Sequence, residues 1–330
     1  MRINISNKKI AFFLLTIALI LLAGLRPIGI DKDSLNYAGI IGLSFTDIGF
    51  ISKEPGFLFI NEINNFLFGG DVQTFFLIFA ALGVTLKLLA IKKLSLLPFL
   101  SILAYVLLYF VLHEMTQIRI GVSAAFFLLA IPDIYNKNFK SYLFKTFLAT
   151  MFHYSALIML FIYFLSPKKI NQYLYFFLPL ISIVALLVDL DIIFIMKMVL
   201  PILPSFLGSK IELYLMLLER GEYSNINVFN FYYLSLLGFY FIAILNYRKF
   251  KSDYDVLLIK VLGFSLFSFY FLSGIPVLAF RVSEFLMITL IVLLPHAMLV
   301  FKQSNFMKIP LVSWMGIYFY LIMFLQNLNL

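Results

Sequence analysis

Long apolar runs separated by short clusters of lysine organise this chain. The runs Ile10–Leu25, Val72–Ile91, Ser95–Leu112, Met115–Pro132, Tyr173–Leu190, Val228–Leu245, Val256–Leu272, Arg281–Phe301 and Ile309–Gln326 are each close to the ~20 residues that cross a hydrocarbon core as a helix. None alternates residue by residue, as a barrel strand does, so the backbone satisfies its polar groups within helices. The pattern predicts an all-α polytopic integral membrane protein of about ten or eleven spanning or re-entrant helices. It reads as one transmembrane domain over residues 1–330, with the basic start, Arg2, Lys8 and Lys9, held inside as an uncleaved first span.

Two polar stretches interrupt the runs and are expected on the outer side. The first, residues 26–71, contains Phe57–Phe68, whose apolar residues are expected to share one helical face and lie along the interface. The second, residues 192–227, carries apolar pieces broken by Pro201, Pro204 and Gly208. A spacing conflict marks a third feature. Lys137, Lys140 and Lys145 indicate an inner loop, and so do Lys168 and Lys169, yet too few residues lie between the two groups for two full crossings. The sequence therefore predicts a short or re-entrant helical hairpin with His153 near its tip, a shape tolerated only inside protein or beside a wet cavity.

Charge agrees with this map. Of 25 Lys and Arg, most, among them Lys87, Lys92, Lys93 and Lys260, fall on the inner side, as cytoplasmic loops require. Of 16 Asp and Glu, nearly all except Asp133, Asp253 and Asp255 fall outside. The composition, 63% hydrophobic and 12% charged with mean hydropathy +1.03, excludes an ordinary soluble domain. The +9 charge therefore reports orientation, not a nucleic-acid partner. Zero cysteines exclude disulfides, thiol catalysis and thiolate metal sites. No P-loop, H-E-x-x-H, G-x-S-x-G or dinucleotide fingerprint occurs, so ATP-driven transport, zinc proteolysis and redox chemistry lack their usual parts.

The chemistry-bearing residues gather on the outer side. Arg119 lies about one turn inside an apolar run, where an ionisable group needs a cavity or a partner; snorkelling, pairing with Glu114 and a functional site are all open. Arg281 stands at the start of another run, suited to forking onto phosphate oxygens or to an i,i+3 pair with Glu284. Asp31 and Asp33 fit turn and cap chemistry, or a divalent cation held against a pyrophosphate. His153 fits a general base, a phosphate donor or a packing residue. Arg220 sits in the charged run of the second polar stretch. Of the 40 Phe and 19 Tyr, most are expected to face lipid, with some free to stack on sugars or hold a prenyl chain.

Taken in order, Asp33 to Tyr37, Glu54-Pro55-Gly56-Phe57, Gln117-Ile118-Arg119, Phe152-His153-Tyr154-Ser155-Ala156 and Arg281 resemble the EpsG family of Wzy-type polysaccharide polymerases over most of the chain. Phe285 departs from the pattern, where a tyrosine is expected after the arginine. The resemblance implies a GT-C-like fold in a bacterial inner membrane with a cytoplasmic N-terminus. It implies transfer of a growing glycan from undecaprenyl diphosphate to a lipid-linked repeat unit, in the making of O-antigen, capsule or exopolysaccharide. Arg119, Arg281, Asp31, Tyr37, Gln117 and Arg220 would then bind diphosphate or glycan, and Asp33, Glu54 or His153 would take the acceptor proton. No cofactor is implied beyond a divalent cation at Asp31 and Asp33, and the expected partners are the lipid-linked glycan, the bilayer, a chain-length regulator and a flippase. A flippase or transporter for lipid-linked sugars, and a single-sugar GT-C transferase or ligase, are the alternative readings.

Overall fold

The computed structural model describes residues 5–43, 54–190, 192–222, 226–300 and 305–321, and every regular element among them is a helix. Arg2, Lys53, Asp191, Lys302 and the end of the last expected run at Gln326 lie outside the described residues. In order, the helices are α1 (Ile5–Gly24), α2 (Ser34–Ala38), α3 (Pro55–Phe68), α4 (Val72–Leu94), α5 (Pro98–Tyr105), α6 (Ile118–Tyr135), α7 (Phe139–Phe152) and α8 (Met159–Ile162). They continue with α9 (Gln172–Leu187), α10 (Ile192–Val199), α11 (Ser205–Glu219), α12 (Phe231–Leu245), α13 (Asp255–Phe271), α14 (Pro276–Met287), α15 (Leu290–Val300) and α16 (Asn305–Leu321). Among the described residues, 3 helical stretches are singly long and apolar enough to cross a membrane, Val72–Leu94, Pro98–Thr116 and Ile118–Tyr135. The number rises to 5 if each bent pair is one span, and shorter apolar helices add to these.

The expected crossings are thus broken more often than their hydropathy implies. The run expected over Arg281–Phe301 begins earlier, at Pro276, and bends by 52° between α14 and α15, which puts Arg281 in the second turn of a helix and not at its tip. Likewise α5 continues as a π-helix through Val106–Thr116, so the break falls at Gln117 and not before Met115. Buried polar partners explain the shift. Glu114 is fully packed and takes Lys87 as its ion-pair partner, while Tyr105 Oη donates to it at 2.8 Å. Glu114 therefore does not serve Arg119, and Lys87 is a core residue instead of an inner-loop charge. A buried pair of this kind is costly to break from one side only.

Helix α6 packs against α4 and α7, α1 lies along α4, and α13 joins α9 to α14. Segment 26–43 and α3 dock as a small cluster of their own: Tyr37, Ile41, Phe57, Leu58 and Ile60 cover Phe75, Phe76 and Phe79 of α4 and Ile118 and Val122 of α6. Arg26 fixes this cluster, donating to Asp31 Oδ2 at 2.8 Å and to Met115 O at 2.6 Å, with its guanidinium 4.0 Å from the Phe76 ring centroid. In α3 the apolar residues do not share one face. Phe57 and Leu58 are buried, Asn61 and Asn64 also turn inward to hold Leu43 O and Asp71 O, and Phe59, Phe66, Leu67 and Phe68 point outward. Outward phenyl groups beside an inward amide row suit a helix wetted by lipid and not by water.

The hairpin inferred from lysine spacing is present. Helix α7 leaves the end of α6, breaks at His153, and α8 returns, so that the Tyr163 ring packs edge-on to Phe139 and tilted against Tyr142, at 5.1 and 5.0 Å between ring centroids. Tyr142 Oη closes it by donating to Met159 O at 2.7 Å. Beyond it, Lys168 lies 4.9 Å from the Tyr135 ring centroid, and Tyr135 packs on Tyr254 at 5.6 Å, which puts both lysine groups on one side. Single cysteines placed at Lys137 and Lys168, in a chain that has none of its own, are expected to react with an impermeant maleimide from the same side. Labelling from opposite sides rules the hairpin out.

Candidate functional site

Three local breaks and one turn of helix α14 aim side chains at one place. The first is Glu54-Pro55-Gly56-Phe57 at the start of α3. Pro55 occupies the first helical position, where its fixed φ and missing N–H cost nothing. Gly56 allows α3 to touch the backbone of α7, because a Cβ there would stand 2.8 Å from Met151 O. Phe57 seats the turn in the apolar cluster, its ring 5.8 Å from the Arg119 guanidinium. Gly56→Ala is expected to destabilise the protein by about 1–3 kcal/mol through overpacking, read as a lower denaturation midpoint in detergent. An unchanged midpoint would mean that α3 yields freely.

Glu54 itself is buried between two cations, paired with Arg119 through Oε2 and accepting from Lys210 Nζ at 2.7 Å through Oε1. Burial alone would raise its carboxyl, but Arg119 and Lys210 outweigh that and hold it at about 2. A carboxylate with so low a pKa is a weak proton acceptor, and its two ion pairs hold the Arg119 and Lys210 side chains in place. The sign follows: its stabilising contribution is complete above the ordinary carboxylate range and fades only as pH falls toward 2. Lys210, from α11 in the second polar stretch, is the contributor that sequence reasoning missed. A lone lysine among apolar residues carries no signal of the carboxylate it will meet. Its Nζ also lies 4.4 Å from the Tyr154 ring centroid, which draws α11 over the hairpin tip.

The second break is Gln117, between the π-helix and α6, and it starts the helix that carries Arg119. Gly121, one turn on, lies against the His113 carbonyl and allows this tight return. The third is His153, whose extended backbone ends α7. Its Nδ1 accepts the Ser155 backbone N–H at 3.2 Å, which places the ring proton on Nε2. Nε2 lies 3.2 Å from Arg281 Nη1, itself only a donor. With the proton on Nε2, two donors face each other across that distance, an arrangement that an anion between them would satisfy. The fourth contributor, Arg281, comes from α14, with its guanidinium 5.7 Å from the Tyr214 ring centroid. No ion pair joins it to Glu284 among the described residues; Glu284 instead accepts from Gln117 Nε2 at 3.3 Å.

Asp33, Tyr37, Gln117, Arg119, Ile120, His153 and Arg281 line one cavity of about 90 Å³. Burial raises the Tyr37 hydroxyl pKa, and Arg119 beside it pulls the other way. Gln117, Asp33 and Arg281 also line an adjoining cavity of about 600 Å³, walled further by Lys32, Thr116, Asn230, Tyr232, Tyr233, Glu284 and Tyr318. Asp31 lines neither cavity. Its oxygens accept from Arg26 Nε and from the N–H groups of Asp33 and Ser34, so it builds the turn that presents Asp33. Of the two aspartates only Asp33 faces the cavities. Arg220 ends α11 on the exposed surface and lines neither one. Phe285 turns away into the core, stacked on Phe127 at 5.3 Å, so a phenyl group suffices there.

This helical membrane protein gathers two arginines, a histidine, a tyrosine hydroxyl and the Asp33 carboxylate around one small cavity. It belongs to the EpsG family, whose model matches residues 9–329. The family is associated with Wzy-type polymerases, which ties the chain to polysaccharide biosynthesis at a membrane. Neither the solved structures nor the curated proteins compared with the chain gave a match.

Proposed function

We propose that this chain polymerises lipid-diphosphate-linked oligosaccharide repeat units on the outer face of a bacterial inner membrane, with its N-terminus in the cytoplasm and a GT-C-like arrangement of spans. The observation that carries this reading is the convergence of Arg119, Arg281 and His153 Nε2 on the 90 Å³ cavity. Guanidinium groups suit pairs of phosphate oxygens, and a third donor adds to the stabilisation of charge as it develops. The departing group is then the diphosphate of an undecaprenyl carrier. A lipid diphosphate leaves without an external energy source once its charge is held.

In this mechanism Arg119 and Arg281 hold the diphosphate, and His153 and Tyr37 donate to it. Glu54 and Lys210 fix Arg119, and Gln117 and Asp33 stand where the two cavities meet. The acceptor, the terminal sugar of an incoming repeat unit, enters from the larger cavity. Deleting the gene and separating the lipid-linked glycan pool tests the assignment. Single repeat units are expected to accumulate at the outer leaflet. Accumulation confined to the inner leaflet would identify a flippase, and accumulation of finished, unattached polymer would identify a ligase.

A further inference from the structure

The proton of the acceptor hydroxyl still lacks a destination, since Glu54 is spent on two cations and His153 Nε2 already bears a proton. Asp33 lines the small cavity too, so its charge would face the departing diphosphate. One more carboxylate belongs to the larger cavity alone. Glu284 lies one helical turn beyond Arg281 on the same face of α14, and Gln117 Nε2 donates to its Oε2 at 3.3 Å. Around it stand the rings of Tyr232, Tyr233 and Tyr318, a wall suited to stacking on sugar faces. Lys32, Thr116, Gln117 and Asn230 add to the wall. A cavity of about 600 Å³ lined by aromatic rings and several polar side chains suits a ligand rich in hydroxyls.

The geometry points to Glu284 as the proton acceptor and to the tyrosine-walled cavity as the seat of the acceptor's terminal sugar. This rests on the glycosyl-transfer reading above. The acceptor oxygen forms a bond to the anomeric carbon of the donor, the bond from that carbon to the diphosphate oxygen breaks, and its electron pair leaves with the diphosphate onto Arg119 and Arg281. The hydroxyl proton passes to the Glu284 carboxylate. Base and leaving-group clamp, a helical turn apart, thus flank the junction lined by Gln117.

The test uses the full chain in membrane vesicles, supplied with lipid-linked repeat units extracted from the deletion strain. Glu284→Gln keeps the shape and a hydrogen bond to Gln117, and is expected to lower polymer formation about 10²- to 10⁴-fold. Its abundance in the membrane should be unchanged. Glu284→Asp is expected to retain a larger share. A carboxylate base predicts a native rate that rises with pH, and Glu284→Gln is expected to lose that rise. Gln117→Ala separates base from scaffold, because it is expected to weaken acceptor binding and keep the pH profile. Activity of Glu284→Gln within a few-fold of native, or an unaltered pH profile, overturns the assignment and leaves the polymerase reading standing. Vesicles of the native chain that never extend the repeat units overturn the polymerase reading itself.

Discussion

Arg119→Ala is expected to cut high-molecular-weight polysaccharide by about 10²- to 10³-fold, the usual consequence of removing one donor aimed at developing charge. The readout is the ladder of polymer lengths in cells whose only copy of the protein is the variant. Substitution also removes one of the two cations on buried Glu54, which keeps Lys210, so the fold is expected to lose less than the about 3–5 kcal/mol of a fully stranded charge. A companion variant, Arg119→Gln, separates the two effects, because its amide keeps a hydrogen bond to Glu54 and lacks the guanidinium charge. It is expected to recover most of the denaturation midpoint and none of the polymer. Recovery of polymer along with stability would show that Arg119 serves the fold and never meets the substrate.

His153 gives the second large effect and distinguishes a donor from a base. Because Ser155 N–H fixes Nδ1 as an acceptor, Nε2–H faces the cavity beside Arg281. His153→Ala is expected to lose about 10²-fold in polymer formation, while His153→Gln, whose amide N–H₂ reaches the Nε2 position and can take over the donation, keeps a substantial part of it. A general base would give the opposite pattern, with Gln as inactive as Ala, since an amide does not accept a proton near neutral pH. Equal inactivity of the two variants would thus return the base role to His153.

The residues that meet at the small cavity are marked in the sequence by their type and order. Asp33, Tyr37, Gln117, Arg119, His153 and Arg281 all line it. They are polar groups that hydrocarbon does not tolerate without a reason, so their positions in apolar sequence are conspicuous. What they do there is another matter. Glu54 read equally well as a base until Lys210 and Arg119 were found on either side of it. Asp31 fits turn chemistry or a cation in the sequence, and in the structure both its oxygens are engaged in the turn that presents Asp33. Arg220 shared the residue type and the polar stretch of a binding group, and proximity alone separates it from the cavities.

Hydropathy and lysine spacing by themselves determined that the chain is a bundle of membrane helices and that residues between Lys145 and Lys168 turn back at His153. Both follow from local physics: an unpaired backbone group in lipid is too costly to leave, and a stretch too short for two crossings must fold on itself. Only the tertiary structure decided which charges pair, since Lys87 with Glu114, Lys210 with Glu54 and Arg26 with Asp31 depend on helix packing that no periodicity encodes. It also decided that α14 brings Arg281 to His153, residues far apart in the chain. The strength of an ion pair falls with distance and rises with burial, and both are set by how helices pack, so the chemistry of this site became readable only when the helices were in place.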